Sequence, residues 1–549
     1  MMHKLKFFFL SFILIPFLSV KAQDQSGNLD FEILKNLELF EMVYKQVDMS
    51  YVDEPNPGQL MRVAIDAMLK ELDPYTVYIP ESQIEDLKLM TTGQYGGIGA
   101  LIQQQGDHVV ITEPYEHWPA QKAGLLAGDI FIEINDKNVE ALTSSEVSDI
   151  LTGKPGSEVK IKVKRLDEYI TKTVVREEIK LHSVPYSSMI TNDVGYVKFV
   201  SFTQNSAEDV LNEFNALKKK GMTKFILDLR GNGGGLLIEA VKIVNFFVQK
   251  GETIVWMKGR YEADKTTWVA EMNPVDPAIP IVVLVDEGSA SASEIVSGAL
   301  QDLDRAVILG ETSYGKGLVQ RPLDLKYNAK LKITIAKYYT PSGRCIQKLD
   351  YTHREYGENA QNISEENITR FKTKNGREVI DGRGIEPDVK IERKEYSSLS
   401  TKLVIENIIF DFATKFRASK SEIPSAKEFN LSDADYEEFC QYVKSRSFEY
   451  TTATSDVMKK LKEIAQLENY FADVETEYNA LWNKLNPSIE RDLIKFKPEI
   501  TEILEDEIVG RYYYQNGRIE HLLVDDPYIL EAVKILNDPA RYKQILNIP

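Results

Sequence analysis

The strongest constraint on the fold is a set of apolar runs separated by helical patterns. "VGYVKFVSF" (194–202), "FILDLR" (225–230), "IPIVVLVD" (279–286) and "AVILGE" (306–311) read as strands. The last three are apolar at successive positions, so both of their faces expect to be buried. Between them stand "NSAEDVLNEFNALKKKG" (205–221), "LLIEAVKIVNFFVQ" (236–249) and a run beginning near Ser291, all helical in period. Strands and helices in alternation predict a layered α/β domain with a largely parallel sheet.

That domain occupies part of a 549-residue chain, long enough for three or four domains of about 100–200 residues each. The N-terminus is set apart from folding arguments. "MMHKLK" is basic, "FFFLSFILIPFLSV" is apolar and "VKA" ends in small residues before Gln23. Residues 1–22 therefore read as a secretory signal peptide, too short for a comfortable membrane span, with an uncleaved anchor as the rival reading. No later segment reaches spanning length. Net charge is −18, and loss of Lys4, Lys6 and Lys21 makes the remainder more acidic still. Nucleic acid is thereby excluded as a partner, since phosphate binding needs a basic surface. Cys345 and Cys440 are the only cysteines, and their spacing neither requires nor forbids a disulfide. No cluster of Cys or His has metal-ligand spacing.

Residues 23–91 read as an N-terminal helical segment, "EILKNLELFEMVYKQV" and "LMRVAIDAMLKEL" being interrupted by "DEPNPG". It is either a docking or dimerisation cap or a plain helical hairpin. Residues 92–180 carry "YGGIGALIQQQGDHVVITEP", "PAQKAGLLAGDIFIEINDKNV", the helical "SSEVSDILTG" and the alternating "EVKIKVKRL". This order of segments resembles a PDZ domain. Gly97, Ile98, Gly99 and Ala100 look like its carboxylate-binding loop, where successive N–H groups hold a terminal carboxylate and the tail adds to a sheet edge. Asp136 departs from the pattern, standing in a turn often given to glycine, although Asp tolerates such turns. Residues 181–395 form the α/β core. Residues 396–549 lose glycine, become helical in period and read as a separate C-terminal domain.

Two stretches of the core carry chemistry. "GNGGG" (231–235) follows a strand and precedes a helix, but lacks the Gly-Lys-Ser/Thr ending of a phosphate loop, and Leu236 breaks the dinucleotide pattern. Its exposed N–H groups and helix N-terminus still suit an anion, an oxyanion included. "GSASASE" (288–294) has the same strand–turn–helix logic. Ser291 and Glu294 match a capping box, yet a serine at such a turn also exposes its hydroxyl beside N–H groups that can stabilise an oxyanion. Ser291 is thus a helix cap or a nucleophile, and a nucleophile needs a base. Lys316 stands between Gly315 and Gly317 after a buried strand. If "KGLVQ" is extended, Lys316, Leu318 and Gln320 share a face, so that Gln320 orients an amine whose burial favours its neutral, basic form. The rival is a surface lysine in a hairpin.

"GSASASEIVSGALQDLDRAVILGETSYGKGLVQ" (288–320) resembles the active-site region of the C-terminal processing peptidases, the tail-specific serine proteases. "LDPYTVYIP" (72–80), "DLRGNGGG" (228–235), "YYTPSGRCIQ" (338–347) and "GIEPDV" (384–389) fall in the family's order, and the likeness covers roughly residues 35–395. The resemblance implies a multidomain α/β protein with a core related to the crotonase and Clp protease fold. It implies a catalytic set of Ser291, Lys316 and Gln320, with an oxyanion hole from the N–H of Ala292 and of Gly235, or failing that Gly234. No metal or nucleotide is implied. Its substrates would be exported proteins with apolar C-terminal tails, in the periplasm or cell envelope. An activating envelope lipoprotein and a homo-oligomer are compatible with it. Two other readings are a non-catalytic tail-binding adaptor on a degenerate core, and an acyl-CoA enzyme of crotonase type. The retained Ser291, Lys316 and Gln320 oppose the first, and the export pattern and PDZ-like module oppose the second.

Overall fold

The computed structural model describes residues 23–354, 357–446 and 448–548. The proposed signal peptide lies outside them. Among the described residues no helix is long and apolar enough to cross a membrane. The chain divides into one unit ending at Tyr78 and another beginning at Ile79, so residues 79–91 belong to the second unit and not to the N-terminal helices.

The first unit holds α1 (Gln23–Ser50) and α2 (Pro57–Lys70). Asn56 caps α2 by accepting the Gln59 N–H, with Pro57 at the first helical position, where a missing N–H costs nothing. Leu34, Leu37, Met42 and Val43 of α1 are all exposed.

In the second unit a six-stranded antiparallel sheet comes first, made of the two-residue strand Lys137–Asn138 and five longer ones. The longer ones are β2 (Ala100–Gln105), β3 (His108–Pro114), β4 (Ile130–Ile134), β5 (Glu158–Arg165) and β6 (Glu168–Val175), in chain order. α3 (Ser144–Leu151) packs beside β2 and is closed by a full capping box of Thr143 and Glu146. A separate ribbon pairs β1 (Gln94–Gly97) with β7 (Glu177–Lys180). This is the PDZ domain, with its own core of Ile98, Phe131, Val147 and Val163. Asn135 and Asp136 both adopt positive φ in the β4 hairpin turn, as the tolerance of Asp for such turns allows.

The α/β core is a six-stranded sheet of β8 (Tyr186–Met189), β9 (Val194–Lys198), β10 (Lys224–Asp228), β13 (Ile281–Val285), β14 (Val307–Gly310) and β17 (Val389–Lys390), in that order. Only β8 is antiparallel to its neighbour; the others run parallel. One face carries α4 (Ser206–Lys219), α5 (Leu237–Asn245) and α6 (Ala292–Asp302) over Phe225, Leu227, Ile281 and Val283. The other face, Ile226, Val282, Leu284 and Leu309, is covered from far away in sequence by Ile529, Ala532, Ile535, Leu536 and Leu546. A second sheet extends the core: β11 (Thr253–Lys258) pairs with β12 (Thr266–Val269) and β16 (Lys330–Tyr339), and β16 with β15 (Leu318–Asp324).

The helical tail is therefore two things. α7 (Ile408–Ser419), α8 (Asp433–Lys444) and α9 (Lys497–Leu522) share one apolar core. The segment with α10 (Pro527–Asn537) and α11 (Pro539–Ile545) leaves it and packs on the parallel sheet. Residues 396–549 are not a single separate layer, because the second face of an apolar parallel sheet must be buried by something, and these helices supply the cover. Cys345 and Cys440 are both free thiols.

Candidate active site

Three loops leave the C-terminal ends of adjacent parallel strands: residues 229–236 after β10, 286–291 after β13 and 311–317 after β14. Their side chains cross-link. Ser289 is fully buried, and its Oγ donates to the Leu229 carbonyl (2.8 Å). Ser293, equally buried, donates to the Asn232 carbonyl (2.8 Å). Of the three serines in the run, two are thus spent on stitching one loop to the next, and only Ser291 is partly exposed.

Ser291 has φ 57° and ψ −110°. A helix cap has extended dihedrals, and a serine held at positive φ costs of order 1–3 kcal/mol, strain found where a side chain must be aimed. The Ala292 N–H opens α6 beside it. Gly234 lies against this turn: a Cβ there would sit 2.7 Å from the Ala290 carbonyl oxygen and 2.9 Å from both the Ala292 nitrogen and Ser291 Cβ, at a φ of +99°. No other residue fits. The Gly234 N–H donates to Asn232 Oδ1 (2.9 Å), whereas the Gly235 N–H makes no hydrogen bond to another described residue.

Glu294 joins the serine turn to the lysine loop. It is fully buried. One oxygen accepts from the Ser291 N–H (2.8 Å) and the Lys316 N–H (2.9 Å). The other accepts from Ser313 Oγ (2.6 Å) and the Gly315 N–H (2.7 Å). Burial pushes the Glu294 carboxyl above its ordinary range, against the pull of those four donors. The buried Tyr338 hydroxyl adds a second tie, 2.7 Å from the Lys316 carbonyl oxygen and 3.1 Å from that of Ser291. Gly315 is required because a Cβ would meet Lys348 Cβ at 2.4 Å. Gln320, on β15, donates through Nε2 to Thr334 Oγ1 (3.1 Å) across the ladder.

The backbones of Ser291, Ala292, Gly234 and Lys316 are therefore brought together, with Gln320 four residues beyond the lysine. Sequence reasoning treated Glu294 only as half of a capping box and did not single out Tyr338 or Asn232. Glu294 was within reach of it, since S-x-x-E was noticed; Asn232 lay inside GNGGG and Tyr338 opened YYTPSGRCIQ, but neither stretch told which carbonyls those side chains and their backbones would meet. Among the described residues no group of three or more His, Cys, Asp or Glu could hold a metal ion.

In the PDZ domain the Ile98 and Gly99 carbonyls accept from the Ala120 and Tyr115 N–H groups (2.8 and 2.9 Å). Their own N–H groups make no hydrogen bond to another described residue. Gly97 ends β1 and Ala100 begins β2, which is an edge of its sheet. Ala100, Ile102 and Ile150 are half-buried apolar residues on the PDZ core.

A parallel α/β core whose strand ends present a strained serine, a glycine-flanked lysine and an amide with no hydrogen-bond partner among the described residues, with a PDZ domain in the same chain, suits a serine protease. Comparison with known proteins agrees. Residues 193–353 match the model of peptidase family S41, residues 110–165 that of the PDZ domain, and residues 399–536 that of the C-terminal helical domain of probable PDZ-proteases. A carboxy-terminal-processing protease of Bartonella bacilliformis is 36% identical over 358 residues, which are 64% of this chain and 82% of that one. A probable CtpA-like serine protease of Staphylococcus aureus is 33% identical over 403 residues, 73% of this chain and 69% of that one. Among solved structures, the photosystem II D1 C-terminal processing protease is 28% identical, covering 64% of this chain and 92% of its own, with a TM-score of 0.36. The chain belongs to the carboxy-terminal-processing proteases of peptidase family S41.

Proposed function

We propose that this protease is a tail-specific endopeptidase acting on exported proteins, with Ser291 as nucleophile and Lys316 as general base. The observation that carries the reading is the shared anchoring of the two residues: one buried carboxylate oxygen of Glu294 accepts the N–H of both. The engagement of Ser289 and Ser293 elsewhere supports Ser291 over its neighbours.

Ser291 Oγ attacks the scissile carbonyl carbon while its proton passes to the neutral Lys316 amine. The displaced electron pair moves to the carbonyl oxygen, which the N–H groups of Ala292 and Gly235 stabilise. Gly235 is favoured as donor because the Gly234 amide is already given to Asn232; Gly234 supplies the room. Collapse breaks the C–N bond, and the leaving amine takes the proton from Lys316. Water then attacks the acyl-enzyme by the same relay. Gln320, fixed by Thr334, orients the lysine amine.

The PDZ domain holds the substrate's C-terminus. The N–H groups of Ile98 and Gly99, flanked by Gly97 and Ala100, receive the carboxylate, and the tail pairs along the free edge of β2. Ala100, Ile102 and Ile150 favour an apolar last residue. The basic and apolar pattern of residues 1–22 supports an envelope substrate.

The test is cleavage of an unfolded polypeptide with an apolar C-terminus by wild type and by Ser291→Ala, against a control with a blocked acidic tail. Tail-dependent cleavage by wild type alone is expected. Equal cleavage by both proteins would remove Ser291 from the mechanism.

A further inference from the structure

The segment that leaves the helical domain does more than cover the sheet. Arg230, at the start of the glycine loop, forms a bidentate pair with Asp228 below it and reaches Asp526 through Nη2 (2.8 Å). Its guanidinium also lies over the Tyr528 ring, 4.7 Å from the centroid. The Tyr528 hydroxyl donates to Oε1 of Glu311, the first residue of the lysine loop. The Tyr528 ring lies 3.3 Å from where a Cβ of Gly310 would stand, and the Glu311 N–H donates to the carbonyl of Val285 (3.0 Å), the last residue before the serine turn. Asp526 is itself fixed, accepting the Tyr528 N–H at the cap of α10.

We propose that Asp526 and Tyr528 form a strap that sets the spacing of the oxyanion loop and the lysine loop, and so act as positioning residues for catalysis from about 215–300 residues away in sequence. The proposal rests on the assignment of Ser291, Lys316 and the 234–235 loop given above. Arg230 is the handle: it stands four positions before Gly234, and its side chain is only 18% exposed, so a charge pair here acts in a largely water-excluded setting. Tyr528 bridges to the other loop across the end of β13. Neither residue approaches the substrate.

The full chain is compared with Asp526→Asn, Tyr528→Phe and the double variant. Asn still caps α10 and Phe keeps the ring, so both spare the packing against the sheet. On an unfolded substrate with an apolar tail, Asp526→Asn is expected to lower kcat about tenfold with KM unchanged, since sub-ångström misplacement of a stabilising group costs rate and not tail binding. Affinity for a peptide boronate, which mimics the tetrahedral intermediate, should fall by the same factor. The double variant should lose more than either single one. Wild-type kcat in both single variants would overturn the strap. So would a loss of kcat that tracks a fall in Tm while boronate affinity stays unchanged. Ser291→Ala in the same series separates the two ideas: if it cleaves like wild type, the active-site reading fails and the strap with it.

Discussion

Glu294→Gln tests how tightly the proposed nucleophile, Ser291, and the proposed base, Lys316, are held. The carboxylate has two donors on each oxygen, and an amide replaces one oxygen with an NH2 group that can accept nothing. Turned toward Ser291 and Lys316, that group leaves the N–H groups of both residues facing a donor. Turned the other way, it faces Ser313, whose hydroxyl can rotate to accept, and the Gly315 N–H, which cannot. The second orientation is the cheaper, and it still strands one buried amide at about 1–3 kcal/mol. The remaining bonds weaken as well, because charge-assisted bonds are roughly twice as strong as neutral ones. Relief of the buried charge offsets part of this. The sum is a loss of about 2–4 kcal/mol, concentrated in the Gly315–Lys316 turn. A shift of that turn by about 1 Å should lower kcat on the order of 100-fold, with KM for a tailed substrate nearly unchanged. Steady-state kinetics and the Tm of the purified protein measure both effects. A variant with kcat within about twofold of wild type and an unchanged Tm would refute the clasp.

Ser289→Ala should lower stability by about 1–3 kcal/mol because the Asp286 N–H loses its acceptor, and Ser293→Ala by less, since the Asn232 carbonyl keeps the Ala290 N–H; Ser291→Ala should not, and thermal melts of the three distinguish them. Ile150→Ser should raise KM about tenfold on an apolar tail while leaving kcat intact, from the lost apolar contact in the PDZ groove, as tail-peptide titration would also report. Acidification from pH 7 to 5.5 should stabilise the protein. Burial pushes the Asp506 carboxyl up to about 6, and hydrogen bonding to Glu505 raises His521. Both groups bind protons more readily folded than unfolded, so their contribution is present at low pH and lost as pH rises through their folded values. Asp506→Asn should raise Tm at pH 7 and flatten the melting profile between pH 5 and 7.

The parallel strands were legible because residues such as Phe225, Ile226 and Leu227 are apolar in succession, which only a two-faced burial explains. Ser291 was legible as one of two things, and its positive φ is a property no propensity reports, since neighbours impose it. Glu294 was read as a helix-terminal partner because S-x-x-E is common; its other three donors come from 313 and 315–316, contacts that sequence spacing cannot encode. The return of residues 527–546 to the sheet was illegible for the same reason. Helical period marks an apolar stripe but not its target, and the Ile529, Ala532 and Ile535 stripe would suit a bundle equally well. The C-terminal helices were accordingly grouped by period and are in fact divided by destination.

That division has a consequence for synthesis. Ribosomes complete the catalytic strands and all three active-site loops well before they reach residue 527. Until then Ile226, Val282, Leu284 and Leu309 have no cover on one face, and a nascent chain in that state is both sticky and unfinished. Any copy released early, short of α10, carries an intact Ser291 and Lys316 in sequence but an open sheet in structure. The sheet that carries the candidate site thus depends, for the burial of one face, on the last residues of the chain to be made.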